Sequence, residues 1–419
     1  MVADIAAAAI VTGEARMALH LLCIGGEDHH LRIPFLLALR RRGLQVSAAG
    51  TGDGSYFSTH DIDYHRYDFD RFGAYVADSK SVAQLSKLVR AIRPNIVQTF
   101  DTKPNLIGPL AIRGAVPVVR TINGMGYVFS SVSPRAIAYR PLYMALQRLA
   151  AQWTSATIFQ NSADSRFFQQ YHLLGRSSAS IIASSGIDVR SFETARRQGP
   201  SAAALKAELN LADSEVVLTV SRLTTQKGIP TLLKAAEIVH AARPSVRFLL
   251  VGPRESEGPF AVNQALVDRH APYVQAIGAR SDVPALLGLT DIFACPTEYR
   301  EGVPRVLLEA GLAGVPMVTT RMPGCDDVVT ENWNGHLVPK RDPRALASAI
   351  LDLLQHPQRA RAMGARSIEL VRREFDLNVV SDRYVEVYQQ VCATHTHGDA
   401  MILPSRDERR SAALHSSMS

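Results

Sequence analysis

Glu301-Gly-Val-Pro-Arg-Val-Leu-Leu-Glu309 leads within five residues into Gly314-Val-Pro-Met-Val-Thr-Thr320. The first stretch reads as a helix beginning near Val303, and the second as a buried strand without period-2 alternation. A helix followed by such a strand is the repeating unit of a parallel sheet covered on both faces. Glu301 then sits in the loop before the helix, and Glu309 lies about two turns inside it. A helix start aims backbone N–H groups and the positive end of its dipole at any anion that docks there. Glu301 is placed to accept hydrogen bonds from sugar hydroxyls and Glu309 from a ribose diol, with a diphosphate between. Two glutamates at this spacing also occur in ordinary helices. Val306, Leu307, Leu308, Ala310 and Leu312 make this helix mostly buried, so Glu309 needs a partner, either a ribose or an arginine.

Outward from this stretch, apolar runs alternate with helical patterns in both directions. Strands are expected over 19–24, 44–49, 96–100, 116–122, 156–160 and 181–183, with helices over 31–42, 82–92, 106–113 and 135–152. A second series has strands over 216–221, 246–251, 274–277, 292–295 and 317–320. Its helices are expected over 229–242, 260–269, 283–289, 343–354 and 358–373. The expected fold class is α/β, with two doubly wound, Rossmann-like domains facing across a cleft. Arg196-Arg-Gln-Gly-Pro200 has no periodicity and marks the break. The expected division is therefore an N-terminal domain over 17–193 and a C-terminal domain over 201–376. Residues 1–16 and 393–419 are expected to be disordered.

The 419 residues suffice for two or three domains, and 47% hydrophobic with 20% charged residues is an ordinary globular balance. Cys23, Cys295, Cys325 and Cys392 are scattered without a CxxC pair, which argues against a zinc site or a disulfide framework and fits a reducing cytoplasm. No apolar run reaches the length of a membrane-spanning helix. The net charge of +7 suits phosphorylated substrates or an anionic membrane, and without an aromatic-basic stripe nucleic acid is disfavoured.

Ligands of open parallel sheets bind at the carboxyl ends of the strands. Four loops there carry chemistry. Ser221-Arg-Leu-Thr-Thr-Gln-Lys-Gly228 holds Arg222 and Lys227, two cations suited to a diphosphate and to charge growing on it as it leaves. Two solvated loop cations would read the same way. Gly25-Gly26 permits close approach of a phosphate or sugar, or simply a tight turn, and without GxGxxG a dinucleotide is disfavoured. Asp101-Thr-Lys-Pro-Asn105 and Asn123-Gly-Met-Gly126 end two further strands. From these, Asp101, Lys103, Asn123 and Gly124 are acceptor-side candidates. Asp61-x-Asp63 and Asp68-x-Asp70 match a metal-binding pattern but read as a polar surface segment, and adjacent His29 and His30 would rarely share a metal. The segment 125–153 mixes Tyr127, Phe129, Tyr139, Tyr143 and Trp153 with Arg135, Arg140 and Arg148. It suits an anionic membrane face, and equally a helix packed on the sheet.

Taken together, these residues resemble a retaining glycosyltransferase of the GT-B fold, family 4, over residues 17–392. The most specific part is Arg222…Lys227-Gly228 followed by Glu301-x7-Glu309. The stretches Tyr299–Ala310 and Thr121–Phe129 are similar to enzymes that extend polyprenyl-diphosphate-linked saccharides, such as bacillosamine-directed N-acetylgalactosaminyltransferases. The resemblance implies that Gly25 and Gly26 face the donor phosphate and that Arg222 and Lys227 bind the diphosphate. It implies Glu301 on the donor sugar beside the backbone of Gly302, Val303 and Pro304, and Glu309 on the ribose. A C-terminal helix over 377–392 would cross back onto the first domain. Many members have a histidine where this chain has Asn123, so catalysis would rest on positioning and charge stabilisation by Arg222, Lys227 and Glu301, without metal or cofactor.

The function so implied is transfer of a hexose or N-acetylhexosamine from a UDP-sugar to a lipid-linked saccharide, by a cytoplasmic protein peripheral at the inner face of the cell membrane. A sugar-nucleotide epimerase on the same fold, or a non-catalytic sugar-nucleotide-binding membrane scaffold, are the alternatives.

Overall fold

The computed structural model describes residues 18–68, 79–130, 133–254 and 260–400. The expected extension 1–16, Asp70 of the second Asp-x-Asp pattern and residues 401–419 lie outside them. Two all-parallel sheets form. The first contains β1 (His20–Ile24), β2 (Gln45–Gly50), β3 (Asp63–Arg66), β4 (Ile96–Phe100), β5 (Val118–Ile122), β6 (Ala156–Phe159) and β7 (Ser178–Ile181), in the order β3-β2-β1-β4-β5-β6-β7. The second contains β8 (Glu215–Val220), β9 (Val246–Val251), β10 (Val274–Ala276), β11 (Ile292–Cys295), β12 (Met317–Thr320) and β13 (Gly335–Val338), in the order β10-β9-β8-β11-β12-β13. The strand order reverses between β1 and β4 and between β8 and β11. Those two switch points are where such sheets bind ligands. The architecture is the expected pair of Rossmann-like domains of the GT-B fold.

Apolar runs bury the central strands on both faces, whereas the edge strands β3 and β7 are polar and largely exposed; buried polar side chains on the central strands are mostly hydrogen-bonded, with Arg120 Nε left without a partner. Arg120 on β5 is fully buried and donates to Gln147 Oε1 at 2.9 Å and Thr157 Oγ1 at 3.3 Å. Burial pulls its pKa down to about 10. Gln98 on β4 donates to the Thr121 hydroxyl at 2.9 Å and accepts from the Tyr388 hydroxyl at 3.0 Å.

Tyr388 belongs to the last helix, Leu377–Ala400, which returns to the first domain. Leu377, Val380, Tyr384, Val387, Tyr388 and Val391 are buried with Leu21, Cys23, Phe35 and Phe100 in one core. The helix extends eight residues beyond the expected 392, so 393–400 continue it and do not begin the tail. Once a helix is nucleated, each added residue gains a hydrogen bond at little further cost.

The change from one core to the other comes earlier than residue 193. Ile182 packs in the first-domain core, whereas Ile187, Val189 and Phe192 pack in the second. A helix over Val189–Gln198, capped by Asp188, occupies the expected break. Its buried face is only Val189 and Phe192, too short to register as a period. At the return crossing, Ile187 N–H donates to Phe375 O and Leu377 N–H to Ile187 O, both at 2.9 Å. The two inter-domain passages thus run side by side. The Asp61–Asp63 segment leads into edge strand β3, where Asp63 pairs with His65 at 2.9 Å.

Candidate functional site

The loops after β8 and β11 frame a cavity of about 240 Å³, lined among others by Arg222, Lys227, Cys295, Glu301, Pro304 and Arg305. Local sequence brings these loops together. Thr225–Lys227 makes a single 3-10 turn, and Gly228 ends it at φ +71°. A Cβ at Gly228 would lie 1.9 Å from the Pro296 carbonyl, so only glycine allows the β8 loop to seat against the β11 loop. Glu298 N–H then donates to Gln226 O at 2.8 Å, and the Glu298 carboxylate accepts from Thr231 at 3.2 Å and Arg341 at 2.6 Å. In this frame Lys227 Nζ lies 2.8 and 2.9 Å from the two Glu301 carboxylate oxygens. Both side chains are largely buried, at 17% and 25% exposure, while Arg222 on the same rim is exposed.

The helix after Glu301 spans Arg305–Leu312, two residues later than expected. Pro304 stands at its N-cap in extended geometry and no side chain caps it. Pro304, Arg305 and Val306 line the cavity, which places the start of this helix on its wall, and Leu307 N–H donates to Pro304 O at 3.0 Å. Glu309 lies one turn further along the helix, at 18% exposure. Its partner is an arginine of its own helix: Arg305 Nε donates to Glu309 Oε1 at 3.2 Å. Burial outweighs Arg305 and raises the Glu309 carboxyl pKa above its ordinary value.

The first domain presents a different chemistry. Asp101 ends β4 with φ +70° and accepts from Gly26 N–H at 3.1 Å, Arg32 Nη2 at 2.8 Å and Asn123 Nδ2 at 3.2 Å. Burial pushes its carboxyl up, but Arg32 and the Gly26 N–H bring it below the ordinary carboxylate range. Arg32 also stacks 4.5 Å from the centre of the Phe100 ring. Gly25 is required by packing, since a Cβ there would meet His29 Nδ1 at 2.0 Å. His29 is buried, and burial with the nearby Arg32 charge lowers its pKa to about 3, so the ring is neutral. Gly26 N–H and the Gly25 carbonyl, which accepts from Tyr67 at 2.9 Å, thus already have partners within the domain. Lys103 is buried, and Asn105 fixes the same loop by donating to Thr121 O at 2.7 Å.

The halves meet at the Glu301 loop. A Cβ on Gly124 would lie 2.9 Å from the Glu301 backbone, and one on Gly302 would lie 2.6 Å from Asn123 O and 2.1 Å from Gln160 Oε1. Asn123 and Gly124 are therefore brought directly against the second-domain loop. Asp101 connects to it through Asn123, and Gly25 through its neighbour Gly26.

The sequence reading missed Arg32, Arg305 and the pair Arg300–Asp164, in which Arg300 Nε and Nη2 stand 2.7 and 2.6 Å from a fully buried carboxylate. The last had a local signal. Asn161-Ser-Ala-Asp164 is a capping pattern, and Asn161 Oδ1 accepts from Asp164 N–H at 2.7 Å to open the helix Ser162–Gln170. Its distant partner had none.

The aromatic-basic segment divides its faces. In the helix Pro134–Ala151, Tyr143 is buried, whereas Ile137, Tyr139, Leu142 and Leu149 are exposed. Arg140 donates to Val128 O at 3.0 Å and lies over the Phe129 ring. Among the described residues, no helix is long and apolar enough to cross a membrane.

Residues 214–356 match the family model of the glycosyl transferases group 1. The chain is 25% identical, over 88% of its length and 96% of the relative's, to the N,N'-diacetylbacillosaminyl-diphospho-undecaprenol alpha-1,3-N-acetylgalactosaminyltransferase of Campylobacter jejuni. It is 27% identical to the UDP-Gal:alpha-D-GlcNAc-diphosphoundecaprenol alpha-1,3-galactosyltransferase of Escherichia coli, over 66% of this chain and 70% of that one. Among solved structures it is similar to Anabaena HepE in complex with UDP, with a TM-score of 0.71 and 20% identity over 88% of this chain and 100% of that one.

Proposed function

We propose that this GT-B glycosyltransferase, which carries a group 1 glycosyltransferase domain over residues 214–356, moves a hexose or N-acetylhexosamine with retention from a UDP-sugar to a saccharide on a polyprenyl diphosphate. The observation that carries the reading is the Lys227–Glu301 pair, held at 2.8 Å on the rim of the cavity at the β8/β11 switch point, with Arg222 beside it. Two cations and an uncapped helix start suit a diphosphate; a carboxylate one loop away suits sugar hydroxyls. Two relatives are named for diphospho-undecaprenol-linked acceptors, which supports the acceptor class.

In this reading the diphosphate docks between Arg222, Lys227 and the start of the helix Arg305–Leu312. Glu301 exchanges Lys227 for the donor sugar, and Glu309 reaches the ribose. The acceptor hydroxyl enters from the side of Asp101, Lys103, Asn123 and Gly124. Its oxygen bonds the anomeric carbon as the bond to the diphosphate breaks on the same face. The electron pair leaves with the diphosphate, and the acceptor's proton passes to a phosphate oxygen. Asn123 offers an amide where a base would stand, so the rate rests on alignment and on charge stabilisation by the two cations, without metal or cofactor. Exposed Ile137, Leu142 and Leu149 support docking of the first domain on an anionic membrane, at the cytoplasmic face where a lipid-linked acceptor is presented.

The test is a sugar-nucleotide panel, measuring UDP and GDP release with and without lipid-diphosphate saccharides. Acceptor-dependent UDP release with a retained anomeric configuration is the expected result. Release of a free epimer without acceptor, or tight UDP binding without turnover, would replace the reading with an epimerase or a binding scaffold.

A further inference from the structure

The residue before Glu301 reaches across the cleft. Arg300 donates to Asp164, whose side chain is fully buried in the first turn of Ser162–Gln170 in the first domain. The other Asp164 oxygen accepts from Asn161 Nδ2 at 2.9 Å. Burial outweighs Arg300 and Asn161 and leaves the Asp164 carboxyl pKa raised, as expected for a charge removed from water. A second carboxylate faces the same helix start. Asp327 of the second domain accepts from Gly324 N–H at 3.0 Å, and the Ser162 backbone N–H lies near enough to favour the charged form of its carboxyl against burial. Gly324, at φ +88°, sits so close that a Cβ would lie 2.1 Å from Gly302 O. Two loops of one domain, 298–304 and 322–327, therefore clasp one helix terminus of the other. The loop that carries Glu301 is part of the clasp.

We propose that the Arg300–Asp164 pair is a positioning device for sugar transfer: it fixes the separation of the two domains at which Glu301 and the donor face Asn123 and the acceptor. This rests on the reading under Proposed function. Arg222 and Lys227 lie wholly in the second domain, and Lys227 holds Glu301 independently of Asp164. Loosening the clasp leaves donor capture intact and disturbs only the alignment of donor with acceptor. Breaking a buried pair by neutralising one partner is costly because the other charge stays behind. Arg300, at 22% exposure, is the member that can turn to water.

The test combines Asp164→Asn, which keeps the shape of the helix cap, with Arg300→Gln should the first variant fold poorly. Steady-state transfer and UDP affinity are measured. Separately, the inter-domain distance is measured between spin labels at Lys87→Cys and Arg361→Cys, both exposed positions, in a Cys392→Ser background. The expected result is a kcat lowered about 10- to 100-fold, as misalignment of reacting groups produces. Donor KM and UDP affinity should stay within about 3-fold, and the distance distribution should broaden. Unchanged kcat with an unchanged distribution overturns the proposal. So does a parallel loss of kcat, donor KM, UDP affinity and thermal stability, which marks a merely structural pair. The distance arm needs no turnover. Absence of transfer by the parent protein therefore defeats the proposed function and leaves the clasp separately decided.

Discussion

Lys227 Nζ and the Glu301 carboxylate are 2.8 Å apart, although the proposed function assigns them to different parts of one donor. In the structure the two groups satisfy each other. On the proposed function, donor binding would exchange one charge-assisted contact for two: phosphate for Glu301 on the lysine, and sugar hydroxyls for Lys227 on the glutamate. This exchange separates affinity for the nucleotide from the rate of transfer.

Glu301→Gln tests the separation. The amide releases Lys227 toward phosphate, so UDP should bind at least as tightly as to the parent protein by titration calorimetry. Transfer should fall by about 100- to 1,000-fold, the usual loss when one electrostatic contact to the transition state is removed. A fall in both together would place Glu301 on the nucleotide, away from the sugar.

Glu309 tests the ribose contact. A hydrogen bond to a charged group contributes about 1.5–3 kcal/mol, so the parent should prefer UDP over 2'-deoxy-UDP by about 10- to 100-fold. Glu309→Gln should shrink that preference to a few-fold. An undiminished preference would show that Glu309 serves only its helix and Arg305.

The same residue makes a prediction about pH. Burial raises its folded-state pKa above 4.5, so the folded chain keeps this proton longer than the unfolded chain does. Stability is then lost as pH rises from the unfolded pKa to the folded one, and remains lower above both. Glu309→Gln removes this dependence. The midpoint of thermal unfolding of the variant relative to the parent should rise between pH 4 and neutrality, then level. The lost pairing with Arg305 offsets little, since that arginine is 57% exposed. A gap independent of pH would rule the explanation out.

If Arg222 and Lys227 supply the positive charge at the leaving diphosphate, transfer should persist in excess EDTA within about 2-fold. Arg222→Ala and Lys227→Ala should each lower kcat by about 100-fold or more. A strict requirement for a divalent ion would assign charge stabilisation to the ion.

The fold was legible because its central strands are apolar runs and its ligand loops end those strands; the polar edge strand β3, Asp63–Arg66, and the short β13, Gly335–Val338, gave no such run and were not expected. Glu301, Arg222 and Lys227 announced themselves as charges at carboxyl ends. Glu309 was legible as a buried charge needing a partner, and the choice between ribose and arginine was left open; Arg305, one helical turn away, is the partner found. Helix edges were less visible. Pro304 shifted one start by serving as the cap, and Val189 with Phe192 gave too short a stripe to show that the second core begins before residue 193. What the sequence hid altogether were pairs brought together by tertiary structure. Arg300 and Asp164 are 136 positions apart, and nothing local to Arg300 names its partner.

The return of the last helix onto the first domain has a consequence for biosynthesis. Tyr384 and Tyr388 complete a core begun by Leu21 and Cys23, so the first domain to leave the ribosome is the last to close. Until residues 377–391 emerge, the apolar groove that will receive them stands open beside a growing second domain whose own core needs nothing beyond Phe375. That groove stays open throughout the synthesis of the second core, from Ile187 to Phe375. A premature stop within residues 377–391 would spare the core of the second domain and leave that of the first incomplete.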